Sequence, residues 1–167
     1  AEYLIEAAEK VNSIDKFSKD TLDPLLIAAL LMQETNCNSQ AGFPYKTSTK
    51  AYGIAQIVPS IWCKEIDFLD DKIGKCAIQL QNPQISILSA AYILKENYRT
   101  QPKKFEGSCL VEYSSKSYSG WAAALRGYVG KCPLVPPNKL PTKWSDQLVY
   151  DQTVLKNLKS YPKLKKD

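Results

Sequence analysis

The sequence predicts an all-α fold in which the helices are joined by long loops. Two dipeptides, Asp23-Pro24 and Asn82-Pro83, have the pattern of a helix N-cap followed by proline at the first helical position. Residues 25–32 are apolar on every side, as a buried central helix requires. No stretch shows the alternating polarity of a series of β-strands. Because 167 residues are enough for one hydrophobic core, we expect a single domain over residues 1–167.

The first half of the chain is predicted to hold three helices. Residues 2–12 form an amphipathic helix, and the second helix runs from Pro24 to Thr35. Small, polar and turn-forming residues predict a loop over 36–49, after which a third helix starts near Pro59. The side chains expected to face the core from the first and third helices are Leu4, Ile5, Ala8, Val11, Ile61, Trp62 and Ile66.

The second half of the chain is predicted to hold three more helices. One starts at Pro83 and continues to about Tyr98, and a compact one covers residues 119–129. Residues 132–141 contain four prolines and predict an extended strap, after which Ser145 caps a last helix. The apolar side chains that carry the helical spacing are Ile85, Leu88, Tyr92, Ile93, Trp121, Leu125, Tyr128, Leu148, Val154, Leu155 and Leu158.

Composition and charge exclude several classes of function. The chain has no histidine, which excludes Ser-His-Asp and Cys-His nucleophile pairs and HExxH zinc sites. We therefore expect no metal and no cofactor. The formal charge of +5 is too small, and too little organised, to predict nucleic-acid binding. The longest apolar run, 25–32, is far short of the roughly 20 residues that span a bilayer, and no signal peptide is visible.

The five cysteines predict disulfides rather than a metal site. None is two residues from another, and no histidine is available to complete a zinc site. The preferred pairs are Cys63 with Cys76, which are 13 positions apart across a turn-prone segment, and Cys109 with Cys132. This pairing leaves Cys37 as the free thiol and favours an oxidising compartment, and the alternative is a reducing compartment in which all five cysteines are plain thiols.

Glu34 is the candidate acid. It stands at the C-terminal end of the most hydrophobic helix, where apolar surroundings and the negative end of the helix dipole both disfavour the carboxylate. A carboxyl group that keeps its proton near neutral pH can protonate a glycosidic leaving group. The alternative is a solvated carboxylate that simply points away from the helix end.

Four ordered motifs resemble those of the soluble, lysozyme-like lytic transglycosylases. That family has Glu-Ser, a loop, Gly-Leu-Met-Gln-Ile-Met-Pro-x-Thr, an Asp-Pro-x-x-Asn-Ile helix ending in Tyr-Leu, and a late Tyr-Asn-x-Gly. The matching residues here are Gln33-Glu34-Thr35, the run Tyr-Gly-Ile-Ala-Gln-Ile-Val-Pro-Ser from Tyr52, Asn82-Pro83, Ser86-Ile87, Ala90, Ile93-Leu94, and Tyr128 with Gly130. The chain departs from the pattern at Thr35 for serine, Ala55 for methionine and Ser86 for asparagine, and its late motif lacks the asparagine and one residue. Residues 103–119 look like an insertion.

The resemblance implies a lysozyme-like helical fold that cleaves peptidoglycan between N-acetylmuramic acid and N-acetylglucosamine. Glu34 would act as the single acid and base and would yield 1,6-anhydro products. The residues that the resemblance places at the substrate are Thr35, Tyr52, Gly53, Gln56 and Tyr128. The expected setting is the periplasm or another part of the cell envelope, reached by a bacterial enzyme, a component of a secretion apparatus or a phage particle, and the expected state is a monomer.

Two other classes stay open at this point. A goose-type lysozyme has the same fold but needs a second carboxylate to activate water. Residues 35–53 contain no Asp or Glu, and the next acid is Glu65, which favours transglycosylation. A glycan-binding or scaffold protein could keep the groove without turnover.

The end of the chain is basic, and we expect it to favour approach to an anionic wall. The lysines of this basic end are Lys156, Lys159, Lys163, Lys165 and Lys166.

Overall fold

The computed structural model of the chain describes residues 1–17, 20–42, 50–104, 120–128, 153–156 and 158. These residues form helices and connecting loops with no β-strand, and Tyr52 and Ile57 make an isolated antiparallel bridge. The all-α prediction is therefore confirmed. The helices are α1 (Glu2–Asn12), α2 (Pro24–Thr35), α3 (Pro59–Trp62), α4 (Ile73–Gln79), α5 (Pro83–Lys104) and α6 (Gly120–Tyr128). Residues 153–156 and 158 are also helical.

Helix α2 forms as its sequence predicts, because an N-cap starts the helix and burial of its apolar side chains stabilises it. The Asp23 carboxylate accepts a hydrogen bond from the Leu25 N–H at 2.8 Å, and Pro24 occupies the first helical position. The side chains that α2 buries are Leu26, Ile27, Ala29, Leu30 and Leu31. Just before the helix, the Asn12 amide exchanges two hydrogen bonds with the Leu22 backbone, at 3.1 and 2.9 Å. This contact ties the end of α1 to the start of α2.

Helix α5 is the central helix, and α1, α2 and α6 all pack against it. The Asn82 side chain accepts hydrogen bonds from the N–H groups of Gln84 and Ile85, so the cap-then-proline prediction is confirmed. The helix runs to Lys104, beyond the predicted end near Tyr98. Lys95 is almost completely buried on this helix, and its ammonium donates to the Asp20 carbonyl at 2.6 Å.

Helices α3 and α4 are joined by the disulfide between Cys63 and Cys76, whose Cα atoms are 6.0 Å apart. This pair confirms the prediction, and Cys37 is a free, exposed thiol as expected. Residues 63–72, between the two cysteines, are mostly turns and bends, as expected, but the segment ends in the helix α4, which contains Gly74. The buried Cys76 and Ala77 hold α4 against the core, and this packing overrides the low helix propensity of glycine.

One predicted core position is also wrong. Ile61 is 57% exposed, whereas Ile66 is buried and Trp62 packs against the core. Consecutive side chains of an α-helix point about 100° apart, so with Trp62 facing the core the preceding Ile61 is turned outward.

Several predictions lie outside the described residues. These are the second cysteine pair, the strap over 132–141, most of the 103–119 insertion, Gly130, Ser145 and Leu148. Within the last helix, Val154 is buried and Leu155 and Leu158 pack against the core, as predicted. No helix among the described residues has both the length and the apolar character needed to cross a membrane.

Candidate active site

Glu34 lies in the last turn of α2 and is half-buried. The helix ends sharply, because Asn36 and Cys37 both adopt the left-handed backbone conformation, with φ of 51° and 61°. The Asn36 N–H closes the last turn by donating to the Met32 carbonyl at 3.0 Å. Glu34 therefore sits where the buried helix reaches the surface, at the negative end of its dipole, as the sequence predicts.

Thr35, the next residue, joins the end of α2 to the loop formed by residues 52–57. Its hydroxyl donates to the Ile54 carbonyl at 2.7 Å. Thr35 thus links the end of α2, which carries Glu34, to this loop. Its hydroxyl proton is directed at the protein backbone, so its observed role is to position the loop.

The 52–57 loop is a tight turn, and its shape depends on a glycine. The backbones of Tyr52 and Ile57 exchange two hydrogen bonds, at 2.9 and 3.0 Å. Gly53 has φ of +73°, and a Cβ at this position would lie 2.0 Å from the Leu80 carbonyl oxygen. Only glycine combines this conformation with this close approach.

Tyr52 and Gly53 are both buried within the turn. Tyr52 is completely inaccessible to solvent, and Gly53 is also buried. Both residues therefore support the turn from within, and their contact with substrate stays a prediction.

Gln56 lies within the turn and is half-exposed. Its side-chain amide donates to the Gly53 carbonyl at 3.0 Å, and its own backbone is left-handed, with φ of +50°. The amide therefore braces the turn and is itself held in a fixed orientation. This geometry combines a structural contact with partial access to solvent.

Tyr128, the last residue of α6, lies close to Glu34. Its hydroxyl donates to the Ala55 carbonyl at 2.7 Å. Burial holds the pKa of Tyr128 well above its usual range, and the negative charge of Glu34 raises it further. The phenol therefore stays neutral. The structure thus brings together the first and last motifs, which are 94 positions apart in the sequence.

Ser86 is a site-supporting residue whose role sequence reasoning did not identify. It is fully buried on α5, and its hydroxyl oxygen accepts a hydrogen bond from the Ala55 N–H at 3.3 Å. The only signal in the sequence was its place in the third motif, where the family has asparagine. That substitution keeps an oxygen that can accept a hydrogen bond.

Glu34 is followed in the sequence by a long stretch without acidic residues. Residues 35–53 contain no second acid, and the next one, Glu65, has an exposed side chain. Among the described residues, no three cysteine, aspartate or glutamate side chains come together in a way that could hold a metal ion.

The described helices hold a half-buried glutamate at the end of a buried helix and bring a tyrosine from a later helix near it. The domain is lysozyme-like, as is the family to which the chain belongs. The family described as the Transglycosylase SLT domain matches residues 12–128, well over half of the chain, and the chain belongs to this family. None of the curated proteins matches the chain. The match spans all the residues of the site described above. The function is therefore that of the transglycosylase family, whose substrate is the peptidoglycan of the cell wall.

Proposed function

We propose that this chain is a lytic transglycosylase that cleaves peptidoglycan between N-acetylmuramic acid and N-acetylglucosamine and releases 1,6-anhydro products. The observation that carries the proposal is the placement of Glu34 within electrostatic reach of the neutral Tyr128, at the exposed end of a buried helix. A single carboxyl group in such a place can lose and regain one proton during a reaction.

Glu34 first acts as the acid. Its proton moves to the bridging oxygen, and the electron pair of the breaking glycosidic bond stays on that oxygen. The N-acetyl carbonyl of the substrate stabilises the electron-poor anomeric carbon. Because burial keeps Tyr128 protonated, the phenol does not compete with Glu34 for the proton.

Glu34 then acts as the base. It takes the proton of the C6 hydroxyl while the C6 oxygen bonds to the anomeric carbon and closes the 1,6-anhydro ring. The carboxyl group ends the cycle protonated, and no water is consumed. This route needs only one acid, which agrees with the lack of Asp and Glu over residues 35–53.

The other site residues act on geometry. We propose that Gln56 lines the glycan groove, because its half-exposed amide is fixed by the bond to Gly53. Thr35 acts through Ile54, whose carbonyl it holds. Tyr128 acts beside the reacting sugar with its hydroxyl proton directed at Ala55, which leaves the phenolic oxygen as a hydrogen-bond acceptor.

The test is to incubate the purified protein with peptidoglycan and weigh the released muropeptides. We expect anhydro-muropeptides. Products heavier by one water would instead identify a goose-type-like muramidase, and no release would identify a glycan-binding or scaffold protein with this fold. Either of these results would overturn the proposed reaction.

A further inference from the structure

Three hydroxyl side chains from three different helices meet at the backbone of two consecutive residues of the turn. Thr35 on α2 donates to the Ile54 carbonyl, and Tyr128 on α6 donates to the Ala55 carbonyl, both at 2.7 Å. Ser86 on α5 accepts from the Ala55 N–H at 3.3 Å. We call this arrangement of Thr35, Ser86 and Tyr128 around residues 54 and 55 the hydroxyl clamp.

Ser86 is the most deeply buried of the three residues of the hydroxyl clamp. Both Ser86 and Ala55 are completely buried, so water cannot replace this hydrogen bond. Two helices hold the Ala55 backbone, because its N–H donates a hydrogen bond to Ser86 on α5 and its carbonyl accepts one from Tyr128 on α6. Any movement of the Ala55 backbone is therefore passed to the Tyr128 hydroxyl.

We propose that Ser86 is a positioning residue for the reaction, and that it fixes Ala55 so that the Tyr128 hydroxyl stays in place beside Glu34. The proposal rests on the proposed function, because the distance between Glu34 and Tyr128 matters only if a sugar reacts between them. Ser86 lies beneath the turn and does not touch the substrate. Its effect on rate comes from geometry, and displacements of about 1 Å at a catalytic group can lower rates by about 100-fold.

The first experiment compares S86A with S89A. Ser89 is a matched control because it is also fully buried on α5, but its hydroxyl donates at 2.8 Å to Ile85 in its own helix and takes no part in the clamp. We expect S86A to lower kcat for release of anhydro product by about tenfold or more, with KM changed much less, and S89A to stay near wild type. S86T, which keeps the hydroxyl, should recover most of the rate. Equal rates for S86A and S89A would overturn the proposal.

A double-mutant cycle with Y128F tests whether Ser86 acts through Tyr128. If it does, S86A should cause little further loss of kcat once the Tyr128 hydroxyl is gone. A role in stability alone would give the same fold-loss in both backgrounds, and that result would contradict the proposal. If S86A does not fold, S86C takes its place, since a thiol has similar size but is a weak acceptor.

Binding separates a failure of the clamp from a failure of the proposed function. Affinity for soluble glycan strands is measured by calorimetry for wild type, S86A and S89A. If wild type binds but does not cleave, the proposed function fails, whereas cleavage by wild type with equal rates for S86A and S89A makes only the clamp fail. Because Ser86 does not touch the substrate, the clamp predicts nearly equal affinity for all three proteins, and a loss of affinity in S86A as large as its loss of rate would overturn it.

Discussion

Glu34 and Tyr128 occupy helices that are distant in the sequence, and the fold brings them within electrostatic reach of each other. The burial of the phenol and the charge of the carboxylate both keep Tyr128 protonated. The Tyr128 hydroxyl also donates its proton to the Ala55 carbonyl. In the proposed reaction, Glu34 exchanges a proton and Tyr128 contributes a neutral oxygen.

The E34Q variant tests the acid directly. Glutamine keeps the size and hydrogen-bonding capacity of glutamate but cannot deliver a proton, so release of muropeptides should fall by a factor of about 100 or more. Circular dichroism and thermal unfolding should match wild type. The control is E65Q, which removes the next acidic charge, at an exposed position, and should retain activity. Near-normal cleavage by folded E34Q would exclude Glu34 as the acid.

The raised pKa of Tyr128 predicts how stability depends on pH. Above about pH 10 the unfolded chain releases this phenolic proton while the folded chain keeps it, so deprotonation favours unfolding. The contribution of Tyr128 is complete below that pH and is lost above it, by about 1.4 kcal/mol per pH unit. Urea unfolding between pH 8 and 11 should show a steeper decline for wild type than for Y128F. The variant Y3F removes a tyrosine that is 46% exposed and should behave like wild type.

At the scale of elements, the 52–57 turn is the piece on which the site is assembled. It contacts α2 through Thr35, α5 through Ser86 and α6 through Tyr128. Helices α2 and α6 carry Glu34 and Tyr128, and α5 packs against both helices. The packing of the helices on this turn therefore sets the positions of the side chains that we propose to act on substrate.

The turn itself can be tested with two glycines. G53A places a methyl group 2.0 Å from the Leu80 carbonyl in a left-handed backbone, and we expect a loss of about 2–4 kcal/mol in the free energy of unfolding. In G74A the new methyl group meets nothing within 4 Å and lies inside α4, so stability should stay the same or rise by up to about 1 kcal/mol. Urea unfolding measures both. Equal stability of the two variants would show that the turn does not require glycine.

At the scale of the whole molecule, the charge of +5 predicts that approach to an anionic wall depends on salt. Replacing the five lysines of the basic end, of which Lys156 is described and exposed, should weaken binding to intact cell walls and flatten its salt dependence. Turnover of small soluble glycans should stay unchanged, because such glycans do not have to be held at an extended anionic surface. If wall binding depends neither on salt nor on these lysines, the basic end does not contribute to binding, and the glycan groove alone must bind the wall.

That residues 1–167 form one domain also stays a prediction, since the family match covers residues 12–128.

Much of the fold could be predicted because helix starts are local. Asp23-Pro24 and Asn82-Pro83 begin α2 and α5 through side chains that cap N–H groups two or three residues away. The pairing of Cys63 with Cys76 was also within reach, because only a short segment separates them. Helix α4 and the exposure of Ile61 were missed because burial of Cys76 and Trp62 depends on neighbours that the local pattern does not reveal.

The sequence by itself determined which residue could be the acid, since Glu34 follows a uniformly apolar helix and belongs to an ordered set of motifs. Only the tertiary structure decided which partners surround it. The packing of the helices brought Tyr128 close enough to Glu34 for the two side chains to interact electrostatically. It also buried Tyr52 and placed the Ser86 hydroxyl within hydrogen-bonding distance of the Ala55 N–H. The physical reason is the distance in sequence over which each interaction acts. Helix caps and hydrophobic periodicity depend on residues a few positions apart. The hydrogen bonds from Ser86 and Tyr128 to Ala55 join residues 31 and 73 positions apart, and they form only after the helices pack.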